Sequence, residues 1–196
     1  MSKSVSAFSN DVLGTHDAVG IAELIQSKQV SAAEVINAAI QRAEKVNLQL
    51  NAIVLKTYEQ AQNRLPQTAS GTLAGIPTFV KDNIPLKGLP TQHGTLAFKA
   101  KNEKRNGKFA SQYLSTGMVP LGKSTMPEFG LLCSAENPNW GITRNPWDTR
   151  MNPGGSSAGA GAAALQRHRQ HQRRRPWRPD LGAGRGRRAL VQDRGA

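Results

Sequence analysis

Ile76-Pro77-Thr78-Phe79-Val80 runs without a break into Lys81-Asp82-Asn83. Apolar, β-branched and aromatic side chains dominate the first five positions and read as a strand, with Pro77 tolerated near its start. The charged triplet then ends it. Further on, Gly117-Met118-Val119-Pro120-Leu121-Gly122 is a second strand of the same kind, and Phe109 to Ser115 before it is helical in character. Strand, helix and strand in that order predict an α/β fold, a sheet with helices packed outside it.

The same alternation extends towards the N-terminus. Residues 17–47 read as two helices. Val19, Ala22, Leu24 and Ile25 form one apolar stripe, closed by Gln26-Ser27-Lys28-Gln29. Ser31-Ala32-Ala33-Glu34 then matches a capping box, and Val35, Ile36, Ala39, Ile40 and Ala43 continue a single buried face. Ala52-Ile53-Val54-Leu55 is a short strand candidate, and Tyr58 to Leu65 a helix stopped by Pro66. These elements are scaffold.

Towards the C-terminus, periodicity vanishes between Pro127 and Pro153, where Asn, Pro, Trp and Gly dominate. A loop this long inside a domain is usually functional, and Trp140 and Trp147 can bury it against the body. Asn152-Pro153-Gly154-Gly155-Ser156-Ser157-Ala158-Gly159 follows, opening an Ala-rich helix. Small residues there allow close backbone approach. Lys81 leaves a strand expected to be largely buried, and burial favours a neutral amine that can accept a proton. A neutral Lys beside a Ser hydroxyl can do the work of a Ser–His pair. An ion pair between Lys81 and Asp82 is the structural alternative, and residue chemistry alone leaves both open.

Taken in order, the motifs resemble the amidase signature family. Gly75-Ile76-Pro77-Thr78-Phe79-Val80-Lys81-Asp82-Asn83 looks like that family's G-[IV]-P-x-x-[VI]-K-D-N segment, followed by Gly88-Leu89-Pro90-Thr91. Gly122-Lys123-Ser124-Thr125-Met126-Pro127-Glu128-Phe129 is similar to G-K-[ST]-N-[MT]-P-E-[FM]. Asn137-Pro138 to Gly141, Thr143 to Asp148 and Pro153 to Gly159 complete the set. Resemblance covers roughly residues 17–165. It implies a partial amidase-signature fold, a mixed β-sheet core flanked by helices, and hydrolysis of a carbon–nitrogen amide bond by a Ser-Ser-Lys mechanism. Matched residue by residue, Lys81 is the base and Ser156 the relay Ser held by a cis peptide, with Ser157 as the fallback. No metal or organic cofactor is implied, and the partner is a small-molecule amide. Gly130 to Asn137 looks more like the free-standing amidases, including those acting on aminohexanoate amides, than the transamidating subunit acting on charged tRNA.

The chain departs from that pattern after Leu165. The resemblance places the nucleophilic Ser near Asp180, yet no Ser, Thr or Cys occurs after Ser157, and the D-x-G-G-S turn expected to supply the oxyanion hole is missing. Residues 166–196 carry ten Arg and no Lys against Asp180 and Asp193, a net of +8 out of the formal +13. An arginine-rich nucleic-acid arm, a solvated disordered extension and a shifted reading frame are the three readings of this tail. The shifted frame is favoured, because the family pattern and the Lys usage stop together there. Stacking aromatics other than Trp177 are missing, which argues against nucleic acid. The expected organisation is an N-terminal extension (1–16), the N-terminal part of an amidase domain (17–165) and the tail (166–196). The chain is then expected to be inactive alone, with a non-catalytic binding module as the alternative.

The remaining composition narrows the setting. A single cysteine, Cys133, excludes an intrachain disulfide framework and a multi-Cys metal site; it is expected to be a small buried residue. No apolar run approaches the roughly 18 residues that cross a bilayer, and no apolar signal core follows Met1, so a cytoplasmic location is expected. His16 and His93 stand alone, and His168 and His171 have metal-like spacing without further ligands. Oligomeric state is not legible.

Overall fold

The computed structural model describes residues 4–65 and 70–165. Its elements are α1 (Ala18–Gln26), α2 (Ala32–Leu50), β1 (Ile53–Lys56), α3 (Tyr58–Arg64), β2 (Pro77–Lys81), α4 (Lys108–Ser115), β3 (Val119–Ser124), β4 (Glu136–Asn137), β5 (Gly141–Ile142) and α5 (Ala158–Leu165). The Arg-rich segment, with His168, His171 and Asp180, lies outside the described residues.

Local chemistry fixes the helix starts. Asp17 caps α1 by accepting the Gly20 amide at 2.8 Å. In the α2 capping box, Ser31 Oγ accepts the Glu34 amide at 3.2 Å, and Glu34 Oε2 accepts the Ser31 amide at 2.8 Å. Asn51 ends α2 in the left-handed region, a conformation Asn tolerates. Its side chain donates to the Trp140 carbonyl at 2.6 Å, tying the long loop to the body.

α2 organises the core. Val35 and Ala38 pack with Leu13, Ile21 and Ile76; Ile36 packs with Ala61, Val119 and Leu121; Val46 and Leu50 pack with Val5, Ala7, Ala52 and Ala162. Residues 4–16 therefore contribute to the body. Arg42 fastens them to α2, bonding Asp11 Oδ1 at 2.5 Å and Oδ2 at 2.8 Å and the carbonyls of Ser9 and Gly14.

The main sheet is mixed, in the order β1-β3-β2, with β1 antiparallel and β2 parallel to β3. All six residues of β3 are buried, as befits a strand covered on both faces. β2 is less enclosed than its sequence suggests: only Val80 is buried, because the strand lies at the sheet edge. β3 carries one extra residue against β2, between the pairs Thr78↔Pro120 and Val80↔Lys123. Gly122 sits in this bulge with φ +153, and a Cβ there would meet the Leu55 carbonyl oxygen at 2.0 Å. The loop between Pro127 and Pro153, expected to be irregular, contains the two-residue ladder of β4 and β5.

Candidate active site

β2 and β3 run parallel, so their carboxyl ends, Lys81 and Ser124, come out side by side. Crevices at such ends are the usual binding positions of α/β sheets. α5 delivers the small-residue segment to this place. The Gly159 amide donates to the Thr125 carbonyl at 3.0 Å, just beyond β3. A Cβ on Gly159 would meet the Ala52 oxygen at 2.2 Å and the Thr125 nitrogen at 2.5 Å, so only glycine allows this docking.

The result is a contact across 75 positions of sequence: Lys81 Nζ donates to Ser156 Oγ at 2.8 Å. Lys81 and Ser156 are both half-buried, and the Gly155–Ser156 peptide bond is cis. Burial lowers the Lys81 pKa from its ordinary value, enlarging the neutral fraction that can accept a proton. Ser157 is exposed at the start of α5, and its carbonyl accepts the Gly161 amide at 2.9 Å. The structure thus brings Ser156, rather than Ser157, to the amine.

The other partner considered for Lys81 is engaged elsewhere. The buried Asp82 carboxylate accepts the Gly94 amide at 3.0 Å and the Gln92 amide at 3.4 Å, and lies 3.9 Å from Lys123 Nζ. Lys123 is fully buried and donates to Thr91 Oγ1 at 3.0 Å. Burial raises the Asp82 pKa and lowers that of Lys123, each opposed by the charge of the other. This pair supports the Lys81 end of the sheet, and reading the sequence for chemistry missed it. The available signal was a lysine inside a central apolar strand, with an acid at the end of the neighbouring one.

A loop closes one side of the pair. Gly130 adopts φ +71, and a Cβ there would stand 3.7 Å from Ser156 Oγ. Gly155 lies so close to residues 132–134 that a Cβ would meet the Ser134 carbonyl oxygen at 2.3 Å. Cys133, expected to be buried, is exposed on this loop, as are Leu131 and Leu132. The loop turns its backbone towards Gly155, which leaves these side chains outward. Asn137 holds the loop's far side by donating to the carbonyls of Gly94 (2.7 Å) and Met126 (2.9 Å). Among the described residues no cluster of His, Cys, Asp or Glu could hold a metal ion, and no helix is long and apolar enough to cross a membrane.

Comparison with known proteins places the chain among its relatives. The family model described as Amidase matches residues 34–165. The putative amidase AmiC of Mycobacterium leprae (strain TN) is 45% identical over 158 residues, covering 81% of this chain and 34% of that protein. The 6-aminohexanoate-cyclic-dimer hydrolase of Paenarthrobacter ureafaciens is 35% identical over 153 residues, covering 75% and 30%. A solved structure of a 6-aminohexanoate cyclic dimer hydrolase complexed with substrate superposes with a TM-score of 0.73 at 33% identity, over 78% of this chain and 32% of that one. The chain spans about a third of the length of the curated relatives it matches. With more than half of its residues inside the family model and the mixed α/β fold of solved relatives, the chain belongs to the amidase family.

Proposed function

We propose that Lys81 and Ser156 are the proton-transfer pair of an amide-hydrolysing site, and that the chain as it stands carries only this half of the machinery. The supporting observation is the 2.8 Å hydrogen bond from Lys81 Nζ to Ser156 Oγ. In this reading neutral Lys81 takes the Ser156 proton, and Ser156 takes the proton of a nucleophilic hydroxyl as that oxygen attacks the amide carbon. The carbon–nitrogen bond breaks, the amine leaves with a proton returned through Ser156, and water then hydrolyses the acyl ester. The substrate is a small-molecule amide. The relatives include a hydrolase of the 6-aminohexanoate cyclic dimer, which supports that substrate class.

Residues 158–196 offer no hydroxyl or thiol as nucleophile and no D-x-G-G-S turn to stabilise an oxyanion. The proposed organisation is therefore an amidase portion over 17–165, preceded by a short extension and followed by a tail read in a shifted frame. A cytoplasmic location fits the single cysteine.

The test is hydrolysis of a simple aryl amide. The 196-residue chain should show none. A chain with the frame restored near Gln166 should be active and should lose about 10⁴-fold or more with Lys81→Ala or Ser156→Ala. Turnover by the 196-residue chain that both substitutions abolish would show that another group serves as nucleophile. The encoding DNA should read G-G-S-[IV]-R in a shifted frame; if it does not, the shifted-frame reading fails.

A further inference from the structure

Next to the Lys81–Ser156 bond stands a polar assembly to which the amidase reading gives no task. It centres on Asn137, buried in β4. Its side-chain nitrogen donates to the Gly94 carbonyl at 2.7 Å and the Met126 carbonyl at 2.9 Å. Its Oδ1 accepts the Asn139 amide at 2.8 Å and the Trp140 amide at 3.1 Å. Two donors and two acceptor sites are the full capacity of an asparagine side chain. We propose that Asn137 is a positioning residue for the Lys81–Ser156 pair: it locks residues 126–134 over the pair and so shields the amine from water. The inference rests on the proton-transfer role proposed for that pair.

Asn137 joins two loops that both reach the pair. One follows β2: Asp82, next to Lys81, accepts the Gly94 amide at 3.0 Å through Oδ2 and the His93 amide at 3.1 Å through its carbonyl. The other follows β3. It runs from Met126 to Gly130, where a Cβ would stand 3.7 Å from Ser156 Oγ, and on to Leu132 and Ser134, whose carbonyls crowd Gly155. The loops meet at Gly94. A Cβ there would stand 2.8 Å from the Met126 oxygen and 3.0 Å from Asn137 Nδ2, so the seam admits only glycine. Asn139 adds a 3.4 Å bond to the Gly94 carbonyl. Two more bonds cross the seam, from the Phe129 amide to the His93 carbonyl at 2.8 Å and from Thr95 Oγ1 to Glu128 Oε1. Asn137 grips both sides from a third element, β4, and its loss frees the Ser156-facing loop from that anchor. This matters for the amine, because Lys81 is only half-buried and burial is what lowers its pKa. The cover over the pair therefore sets how much of the amine is neutral.

The test compares the full 196-residue chain with Asn137→Asp. That variant keeps the acceptor for the Asn139 and Trp140 amides and replaces the bridging donor by an oxygen. Lysine acetylation is followed from neutral to high pH by peptide mass spectrometry, with exposed Lys101 as the internal reference. For Lys81, the rate at pH 8 divided by the plateau rate gives the neutral fraction. In Asn137→Asp this fraction should fall by about threefold or more, because water reaches the ammonium. A nitroxide on the exposed Cys133, the single cysteine, should report a more mobile loop in the same variant. A merely structural asparagine would lower the thermal midpoint and leave the Lys81 titration in place; that result overturns the inference. So does a Lys81 that titrates at the ordinary lysine value in the unmodified chain. Where Asn137→Asp fails to fold, Thr95→Val removes the neighbouring bridge to Glu128, and an unmoved Lys81 titration in it overturns the inference equally. None of these readouts uses hydrolysis. A frame-restored chain that never hydrolyses amides, beside a Lys81 that responds to Asn137→Asp, would sink the proton-transfer reading and uphold the shielding by Asn137.

Discussion

Lys81 and Lys123 lie on neighbouring strands, and burial lowers the pKa of both from the ordinary lysine value. Removing their charges should nevertheless have opposite effects. A lowered lysine pKa means that the folded chain binds fewer protons than the unfolded one between the lowered value and 10.5. The cost is fully present below the lowered value and fades as pH rises through that window. Lys81 faces a neutral hydroxyl, so Lys81→Met should raise the thermal midpoint slightly at pH 7, with a gain that shrinks towards pH 10. Lys123 faces the Asp82 carboxylate at 3.9 Å. Lys123→Met strands that carboxylate in the interior, and breaking a buried pair costs about 3 to 5 kcal/mol. Urea unfolding of the two variants at pH 7 checks the contrast; equal and opposite expectations collapse if both destabilise alike. The Lys81 result would also fit a functional residue held at some expense of stability.

Among the elements, β3 decides where both lysines point. Its extra residue between Pro120 and Lys123 shifts the register against β2, while against β1 the register shifts between Ile53 and Leu55, where β1 carries the extra residue. Gly122 makes this possible, since any Cβ there would overlap the Leu55 carbonyl. Gly122→Ala should cost about 3 kcal/mol, read as a drop in the urea midpoint, and shift the backbone of β1. A loss under about 0.5 kcal/mol would show that the bulge does not need glycine. The helices were legible beforehand because their signals are local: Ser31 and Glu34 are three positions apart, and the apolar stripe of α2 follows from one turn to the next. Strand starts were legible only to within a residue or two. The β4–β5 ladder was not, because Glu136-Asn137 and Gly141-Ile142 are too short to show alternation. Spacing could not join Lys81 to Ser156 either, since sheet topology, and no local pattern, closes that distance; the family resemblance supplied the pairing. Cys133 was expected inside because free cysteines are usually buried, yet it, Leu131 and Leu132 all face outward on the loop.

Across the whole molecule, stability is unevenly shared, and the uneven share falls on the site. α2 enters three of the four core clusters, and β3 is hydrogen-bonded on both sides and fully buried. These two elements couple the body. α5 is attached far more lightly. Two glycines, Gly159 and Gly161, lower its intrinsic helicity, and Ala158 and Ala162 are its buried hydrophobic residues among those described. Beside it lies a groove lined by Ala43, Ala160 and Ala163, where apolar contact is missing on one side. Segments with few buried apolar contacts open locally at low free energy. Native-state hydrogen exchange should therefore show α5 amides exchanging about 100-fold faster than those of β3 and of the centre of α2. Ser156, two residues before α5, would then be held at Lys81 by a helix that opens more readily than the α2 and β3 framework. Filling the groove with Ala43→Phe should slow α5 exchange and leave β3 unchanged, because the new ring supports only the wall that lacks contacts. Protection of α5 equal to that of β3 in the unmodified chain would show that the body already holds the Ser156 segment rigidly, and that packing at the groove contributes nothing to placing it.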